Sequence, residues 1–217
     1  MKESLIARSD MTPQRRPRLL LAIKRVLDVA VAGAALVLAF PILVCIGLAV
    51  KLTSPGSVFY PWRVVGRGGV PFLSYKFRSM FEDADQRKAE LQAINEMSGP
   101  VFKVSNDPRV TPLGRFLRKH SLDELPQLWS VVKGDMSLVG PRPPLVTEYE
   151  QFTDFQKLKL NVIPGITCLW QVNGRNNVND FDEWVKLDLK YIRAWSLWLD
   201  VKILLKTFTA VLAGTGK

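Results

Sequence analysis

Two adjacent carboxylates, Asp123 and Glu124, lie in the stretch Ser121-Leu122-Asp123-Glu124-Leu125-Pro126. The Ser-x-x-Glu pattern is typical of a helix capping box, but it would put Pro126 inside the helix, where the missing N–H is costly. With Asp123 as the N-cap, Pro126 falls in the tolerated first turn. The helix N-terminus would then favour the ionised form of Asp123. Such a carboxylate can cap the helix, bind a cation or act as a nucleophile, and spacing alone leaves these roles open.

Cationic side chains accompany this acidic pair from several parts of the chain. Arginine binds phosphate oxygens through two parallel hydrogen bonds, and adjacent acids suit a divalent cation. Together they suggest a divalent cation and a polyphosphate substrate, although each arginine taken alone is more simply explained as a surface charge. The cationic candidates are Lys76, Arg78, Arg115, Arg118, Arg142 and Arg175.

The composition limits the alternative chemistries. The 217 residues contain a single histidine, His120, and two cysteines, Cys45 and Cys168. We therefore expect no histidine-dependent triad, structural zinc site or disulfide framework. A hydrophobic fraction of 47% excludes a disordered chain, and the length is sufficient for a core of its own.

An apolar segment without charged side chains, residues 29–50, is flanked by basic stretches. Residues 1–25 and residues 51–80 each carry a net charge of +5, nearly all of the total of +10. An unbroken helix over this segment would be roughly 33 Å long, enough to cross a bilayer. Because basic flanks stay in the cytoplasm and Pro41 interrupts the middle, we favour a re-entrant helix that enters and leaves on one side. A single-pass anchor with a proline kink is the alternative.

Outside this segment we predict a β-hairpin, residues 57–65 and 70–78, around a glycine-rich turn, with Ser74, Lys76 and Arg78 on one face. The elements predicted after the hairpin are a solvated helix over residues 80–97, helices over 113–119, 126–133 and 181–212, and a strand over 136–139. The last helix carries a stripe of aromatic and apolar side chains, which suits either a membrane interface or a protein core. Its members are Trp184, Leu187, Tyr191, Trp195 and Trp198.

Five ordered motifs cover the chain from residue 24 onwards. They are Lys24-Arg25-x-x-Asp28 before the proline-broken apolar run, YKFRSM from Tyr75, SLDELPQL from Ser121, KGDMSLVGPRP from Lys133, and PGIT from Pro164 followed by QVNGR from Gln171. This order resembles the bacterial sugar transferase family, the monotopic phosphoglycosyl transferases. The stretch 83–107 resembles an insert of the larger, exopolysaccharide-initiating members.

The resemblance implies an α+β fold that is mainly helical, with a small β-hairpin, one re-entrant (monotopic) membrane helix and interfacial amphipathic helices. It divides the chain into a flexible basic tail over residues 1–20, a re-entrant membrane helix over 21–52, and a cytosolic, membrane-associated catalytic domain over 53–217. The implied location is the cytoplasmic face of the bacterial inner membrane. Anionic membrane lipid is an implied partner, and the family allows a homodimer.

The resemblance also implies a reaction. A sugar 1-phosphate would pass from a UDP-sugar to polyprenol (undecaprenyl) phosphate, with release of UMP, as the first membrane step of exopolysaccharide or other surface glycan synthesis. Asp123 would attack the β-phosphate to form a covalent phosphosugar intermediate, Glu124 would assist, and both would hold Mg²⁺. The implied substrate-binding residues are Lys76, Arg78, Arg118, Arg142, Gln171 and Arg175.

Three residues depart from the family pattern. Phe40 precedes Pro41 where serine is frequent, which removes a hydroxyl that could satisfy the backbone freed by the proline. Ile163 stands where a basic residue is frequent, and Cys168 stands where glycine is usual.

Two other functions stay open on the sequence. One is a non-catalytic, membrane-anchored adaptor that binds anionic lipid or nucleic acid, and the other is a hydrolase of the same nucleotide sugar. Residues 81–217 carry a net charge of only +1, which argues against a nucleic-acid partner. A hydrolase would give the membrane segment little purpose.

Overall fold

The computed structural model of the chain describes residues 16–172 and 179–214. It confirms a mainly helical α+β fold. The helices in these residues are α1 (Arg18–Thr53), α2 (Pro112–Lys119), α3 (Leu128–Lys133), α4 (Val146–Tyr149), α5 (Asp154–Lys157), α6 (Leu169–Val172), α7 (Phe181–Ala194) and α8 (Leu197–Ala213). The strands are β1 (Phe59–Val65), β2 (Pro71–Phe77), β3 (Ser137–Val139) and β4 (Gly165–Thr167). The longer 3-10 segments are Gln86–Ile94 and Leu122–Gln127.

The first helix, α1, contains the whole predicted membrane segment and is helical over 36 residues, including Pro41. It is long and apolar enough to cross a membrane, and only 11% of its most apolar 18-residue stretch is buried. The exposed apolar face of this helix would be costly in water, so it requires an apolar environment. The buried residues are Asp28, Ala32, Ile46 and Val50.

Both halves of α1 pack on the rest of the chain. The N-terminal half joins the main hydrophobic core, and the C-terminal half joins a smaller cluster beside the hairpin. The contacting residues are Ala32, Ala35 and Leu36 in the main core, and Leu43, Ile46 and Val50 against Phe77 and Leu117 in the smaller cluster.

A buried polar network fixes the start of α1. The Lys24 ammonium lies 2.6 Å from the Asp200 carboxylate and 3.7 Å from that of Asp28. Asp28 in turn accepts hydrogen bonds from Ser137 Oγ (2.7 Å) and Leu138 N (3.2 Å). The network joins α1, β3 and α8, and it gives the motif Lys24-Arg25-x-x-Asp28 a structural role.

The predicted β-hairpin is confirmed. Strands β1 and β2 pair antiparallel, in a register that runs from Phe59 opposite Phe77 to Val65 opposite Pro71. The glycine-rich stretch between them is a turn in which Gly68 has a φ of +71°. Only glycine adopts this left-handed conformation without strain, so the composition of the turn is explained by its geometry.

Two of the sequence motifs meet in a short parallel pair. The predicted strand, β3, pairs with β4, with Ser137 opposite Gly165 and Val139 opposite Thr167. A Cβ atom on Gly165 would lie 2.0 Å from the backbone nitrogen of Gly140. Glycine is therefore required for β3 and β4 to approach each other this closely. Their approach fixes the start of the Pro-Arg-Pro loop.

Two helix predictions need correction. The stretch 80–97 contains the 3-10 segment Gln86–Ile94 instead of an α-helix, because residues 86–94 include no buried residue that would pack an apolar face. The predicted helix over 181–212 is two helices, since Ser196 accepts a hydrogen bond from Leu199 N (3.1 Å) and begins α8.

The aromatic stripe of this region is divided by the break. Trp184 and Tyr191 in α7 are buried in the core, whereas Trp198 in α8 is 63% exposed. The core interpretation therefore holds for α7. An apolar face of α8 is exposed and suits a membrane interface, as the sequence allowed. Its residues are Trp198, Val201, Leu205, Phe208 and Leu212.

Candidate active site

The acidic pair lies on the 3-10 segment Leu122–Gln127. Ser121 precedes it with a φ of +52°, the one positive φ of a non-glycine residue in the parts of the chain that the structure describes. Its side chain makes no capping bond, so the capping box with Ser121 does not form, and Asp123 lies inside the segment. Asp123 is buried, with 7% of its surface exposed. A strained turn before a buried carboxylate is typical of a functional site.

The hairpin and the Pro-Arg-Pro loop after β3 supply the cations that meet Glu124. Lys76 Nζ lies 2.7 Å from Glu124 Oε1, and Arg142 Nη1 lies 3.6 Å from the same oxygen. The Lys76 ammonium also lies 3.9 Å from the centre of the Trp62 ring. Trp62 shares a hairpin face with Lys76, so the register of β1 against β2 brings the ring and the ammonium together.

Arg118 reaches the site from the end of α2. A Cβ atom on Gly114 would lie 1.9 Å from the carbonyl oxygen of Ser79, so α2 can pack this closely only with glycine there. The close packing lets Arg118 Nε donate to Ser79 Oγ at 2.8 Å. Burial lowers the pKa of the Arg118 guanidinium, and the charge of Asp123 opposes that shift. Arginine keeps its proton in proteins, so a fixed positive charge lies near Asp123.

Burial also changes the ionisation of Lys76. Desolvation lowers the pKa of its ammonium, with Glu124 acting in the opposite direction and Arg142 adding to the decrease. Removal from water makes the ammonium cation costly unless anions surround it. Besides Glu124, an anionic substrate phosphate would provide such a partner.

These groups line one cleft of about 440 Å³. Its inner end is formed by aromatic rings, with Trp170 stacked on Trp184 at 4.0 Å between ring centres. Lys159, paired with Asp188 at 2.6 Å, lies beside them. The side chains of this ion pair are 3% and 1% exposed, and Lys159 also faces the cleft. No motif in the sequence indicated this end of the cleft.

A second buried ion pair on the cleft wall was also missed. Arg109 Nη2 lies 2.6 Å from Asp107 Oδ2, and Arg109 Nη1 donates to the carbonyl of Ala84 at 3.1 Å. Both residues lie at the turns that precede α2. The pair fixes the stretch 83–107 against the cleft.

The remaining candidates have different surroundings. Arg78 lines the cleft, but its guanidinium donates to the carbonyls of Ser54 (2.7 Å), Val50 (3.5 Å) and Pro55 at the end of α1. This contact favours a helix-capping role. Arg115 is exposed and is not among the cleft residues.

Gln171 is not part of this cluster of charges. Gln171 Oε1 accepts from Cys168 N (3.0 Å) and lines a separate cavity beyond Glu124. Arg175 lies outside the described residues. Lys76, Arg118, Arg142 and the two acids are therefore the predicted site residues that the fold brings to one place.

The acidic side chains of the site bear on whether it can hold Mg²⁺. Over residues 16–172 and 179–214, no group of three or more His, Cys, Asp or Glu side chains is arranged to hold a metal ion. The cleft nevertheless contains the neighbouring carboxylates of Asp123 and Glu124. Mg²⁺ is usually held by one or two carboxylates together with substrate phosphates and water, and two neighbouring acids fit that pattern.

Comparison with known proteins shows the family of the chain. The family model described as "Bacterial sugar transferase" matches residues 19–214. The chain therefore belongs to the bacterial sugar transferase family.

Curated relatives include "Galactosyl transferase CpsE" of Streptococcus agalactiae, 51% identical over 89% of this chain and 43% of the relative. "Exopolysaccharide production protein ExoY" of Rhizobium meliloti is 43% identical, over 89% of this chain and 87% of that protein. "UDP-glucose:undecaprenyl-phosphate glucose-1-phosphate transferase" of Escherichia coli is 43% identical, over 85% of this chain and 39% of that protein. The chain thus spans less than half of two of these relatives and most of the third.

Proposed function

We propose that the chain is a phosphoglycosyl transferase, which moves a sugar 1-phosphate from a UDP-sugar to polyprenol phosphate and releases UMP. The observation that carries the proposal is the buried carboxylate of Asp123 beside Glu124, in a cleft that also contains Lys76, Arg118 and Arg142. Two anionic substrates need such fixed cations to offset their repulsion. The name of the Escherichia coli relative states the same reaction for glucose.

In the first step, a carboxylate oxygen of Asp123 forms a bond to the β-phosphorus of the UDP-sugar. The bond from that phosphorus to the oxygen bridging the two phosphates breaks, and UMP leaves with the electron pair. Lys76, Arg118 and Arg142 stabilise the negative charge on the transferred phosphoryl oxygens. Glu124 holds Lys76 and Arg142 in place through its ion pairs of 2.7 Å and 3.6 Å.

In the second step, a phosphate oxygen of the polyprenol phosphate attacks the phosphorus of the aspartyl intermediate. The bond from phosphorus to Asp123 breaks, which regenerates the carboxylate and gives polyprenol diphosphate sugar. Splitting the transfer into two displacements lets one set of cations serve both anionic substrates in turn. Because water would hydrolyse the intermediate, the burial of Asp123 has a direct chemical purpose.

Asp123 and Glu124 are the residues that would hold Mg²⁺. The ion would neutralise phosphate charge when substrate is bound. The protein groups described above bind and orient the phosphates at the same place.

The re-entrant course of α1 belongs to the same proposal. Leu36 packs in the main core and Leu43 packs in the smaller cluster, both against the body of the protein. The distance along the helix axis from Leu36 to Leu43 would be about 11 Å, whereas the hydrocarbon core of a bilayer is about 30 Å thick. A globular part on one side of the membrane therefore favours a helix that enters and returns. The cytosolic domain would lie on the cytoplasmic face of the bacterial inner membrane.

The proposed pathway role is the first membrane step of exopolysaccharide or related surface glycan synthesis. The name of the Rhizobium meliloti relative supports an exopolysaccharide. The test uses purified protein in lipid nanodiscs with Mg²⁺, undecaprenyl phosphate and a panel of UDP-sugars, with nucleotide release as the readout. We expect UMP release that requires the lipid phosphate and is lost in Asp123→Asn.

The matched control is Asp83→Asn, at an exposed carboxylate 3.9 Å from Arg87, which should keep wild-type activity. Release of UDP would mean that the sugar moves without its phosphate, and it would overturn the proposed reaction. Retention of activity in Asp123→Asn would remove the nucleophile from the proposal.

A further inference from the structure

A second cavity, of about 180 Å³, adjoins the segment that carries the acidic pair. Ser121 and Glu124 line both this cavity and the main cleft, so the two spaces meet at the residues on either side of Asp123. The other wall of the cavity is α8, through Thr207, Ala210 and Val211. The Asp123 segment therefore separates a charged cleft from a space that borders the last helix.

The surface of this cavity is mainly apolar. Leu125, Leu128 and Ile166 line it, and Val172, Ala210 and Val211 complete the apolar part. The hydroxyls of Thr167 and Thr207 bond to each other at 2.7 Å. Polar atoms that are satisfied by one another present little hydrogen-bonding capacity to a ligand, so the cavity suits hydrocarbon.

The helix that forms the cavity wall has an exposed apolar face on another side. Leu205, Phe208 and Leu212 are each more than 60% exposed. They follow spacings of three and four residues and therefore lie along one stripe of α8. The residues that line the cavity, at 207, 210 and 211, lie on a neighbouring stripe. Hydrocarbon in contact with the outer stripe would thus be one helix width from the acidic pair.

We propose that this second cavity binds the first isoprene units of the polyprenol phosphate acceptor and guides its phosphate to Asp123. The inference rests on the proposed function, because that reaction requires a lipid acceptor. The main cleft, whose cations include Lys76, Arg118, Arg142 and Lys159, suits the nucleotide sugar. The acceptor chain needs an apolar space close to Asp123, and the second cavity is lined by Glu124, the next residue in the chain. The two substrates then approach Asp123 from opposite sides of one segment.

The test separates the two steps of the reaction. Exchange of labelled UMP into UDP-sugar without lipid reports the first step alone, and lipid-linked product reports both steps. We fill the cavity with Ala210→Trp, and we use Ala213→Trp, at an exposed position on the same helix, as the matched control. Both variants are measured in detergent micelles with undecaprenyl phosphate as the acceptor.

We expect Ala210→Trp to keep the UMP exchange rate within about twofold and to raise the KM for undecaprenyl phosphate by about tenfold or more. Ala213→Trp should change neither value. If Ala210→Trp lowers the thermal midpoint, Ala210→Leu fills less of the space and should raise the lipid KM by a smaller factor at normal exchange.

Two results would overturn the inference. Unchanged lipid kinetics in a folded Ala210→Trp variant would mean that the cavity does not hold the acceptor. Equal loss of exchange and of product would mean that the cavity only supports the acidic pair. Failure of the proposed function is a different result, since wild-type protein would then give neither exchange nor lipid-linked product, and the acceptor site would fall with it.

Discussion

The ammonium of Lys76 lies 2.7 Å from the carboxylate of Glu124, and both side chains are 13% exposed. The lysine comes from β2 and the glutamate from the 3-10 segment Leu122–Gln127, so the contact fixes the hairpin against the acidic pair. Adjacent acids thereby have different tasks in the proposed reaction. In that reaction Glu124 would hold the cations, and Asp123 would be the nucleophile.

The pH dependence of turnover tests the role of Lys76. Because burial lowers the pKa of this ammonium below its ordinary value of 10.5, rising pH should remove the proton earlier than for a surface lysine. We expect kcat/KM to fall on the alkaline side as this positive charge is lost. Lys76→Arg keeps the charge and should move the alkaline limb to higher pH, at some cost in kcat. The measurement is UMP release between pH 6 and about 10.5 in both proteins.

A neutral side chain gives the complementary result. Lys76→Met leaves Glu124 without its closest cation and should lower kcat by about 10²–10³-fold. Identical alkaline limbs in wild type and Lys76→Arg would show that another group titrates, and they would remove Lys76 from the phosphate site.

The polar anchor of α1 should contribute to stability. Asp28→Asn replaces a carboxylate that accepts from Ser137 Oγ and Leu138 N and lies 3.7 Å from Lys24. We expect a loss of about 1–3 kcal/mol, because buried donors lose a charged acceptor. The measurement is the thermal midpoint of the protein in detergent. Glu183→Gln, at an exposed pair with Lys186, should leave the midpoint nearly unchanged, and a similar fall in both variants would contradict the anchoring role.

Cysteine labelling tests the course of α1. In a Cys45→Ala background, we expect Asp10→Cys and Arg67→Cys to resist a membrane-impermeant maleimide in intact spheroplasts and to react after permeabilisation. The remaining thiol, Cys168, is buried, and burial raises its pKa, so it should give little background. Reaction of one position in intact spheroplasts would mean that α1 spans the membrane, and the enzymatic proposal would survive that result.

Much of the fold could be predicted because local signals were strong. The glycine-rich turn between alternating strands predicted the hairpin, and the helix predicted to end at residue 133 does end there, before Gly134 with a φ of +102°. The break at Trp195-Ser196 was missed, because the apolar spacing continues across it and only the cap at Ser196 marks the new helix.

The site was predicted in part for a similar reason. Lys76 and Arg142 carry charges in motifs, and Arg118 lies three residues before one; all three line the cleft with the acidic pair. Arg78 shares a motif with Lys76 but comes directly after the end of β2. There its guanidinium donates to backbone carbonyls at the end of α1. The Lys159–Asp188 pair joins residues 29 positions apart through packing of α7, and no local pattern encodes such a contact.

The most direct test of the proposed mechanism is the intact mass of the protein after incubation with UDP-sugar and Mg²⁺ in the absence of lipid acceptor. We predict a mass increase of one sugar phosphate, which peptide mapping assigns to Asp123, with an equal amount of UMP released. The increase should disappear when undecaprenyl phosphate is added and should be absent in Asp123→Asn. Turnover with lipid but no adduct on Asp123 under rapid quench would contradict the covalent mechanism and leave a direct transfer between the two substrates.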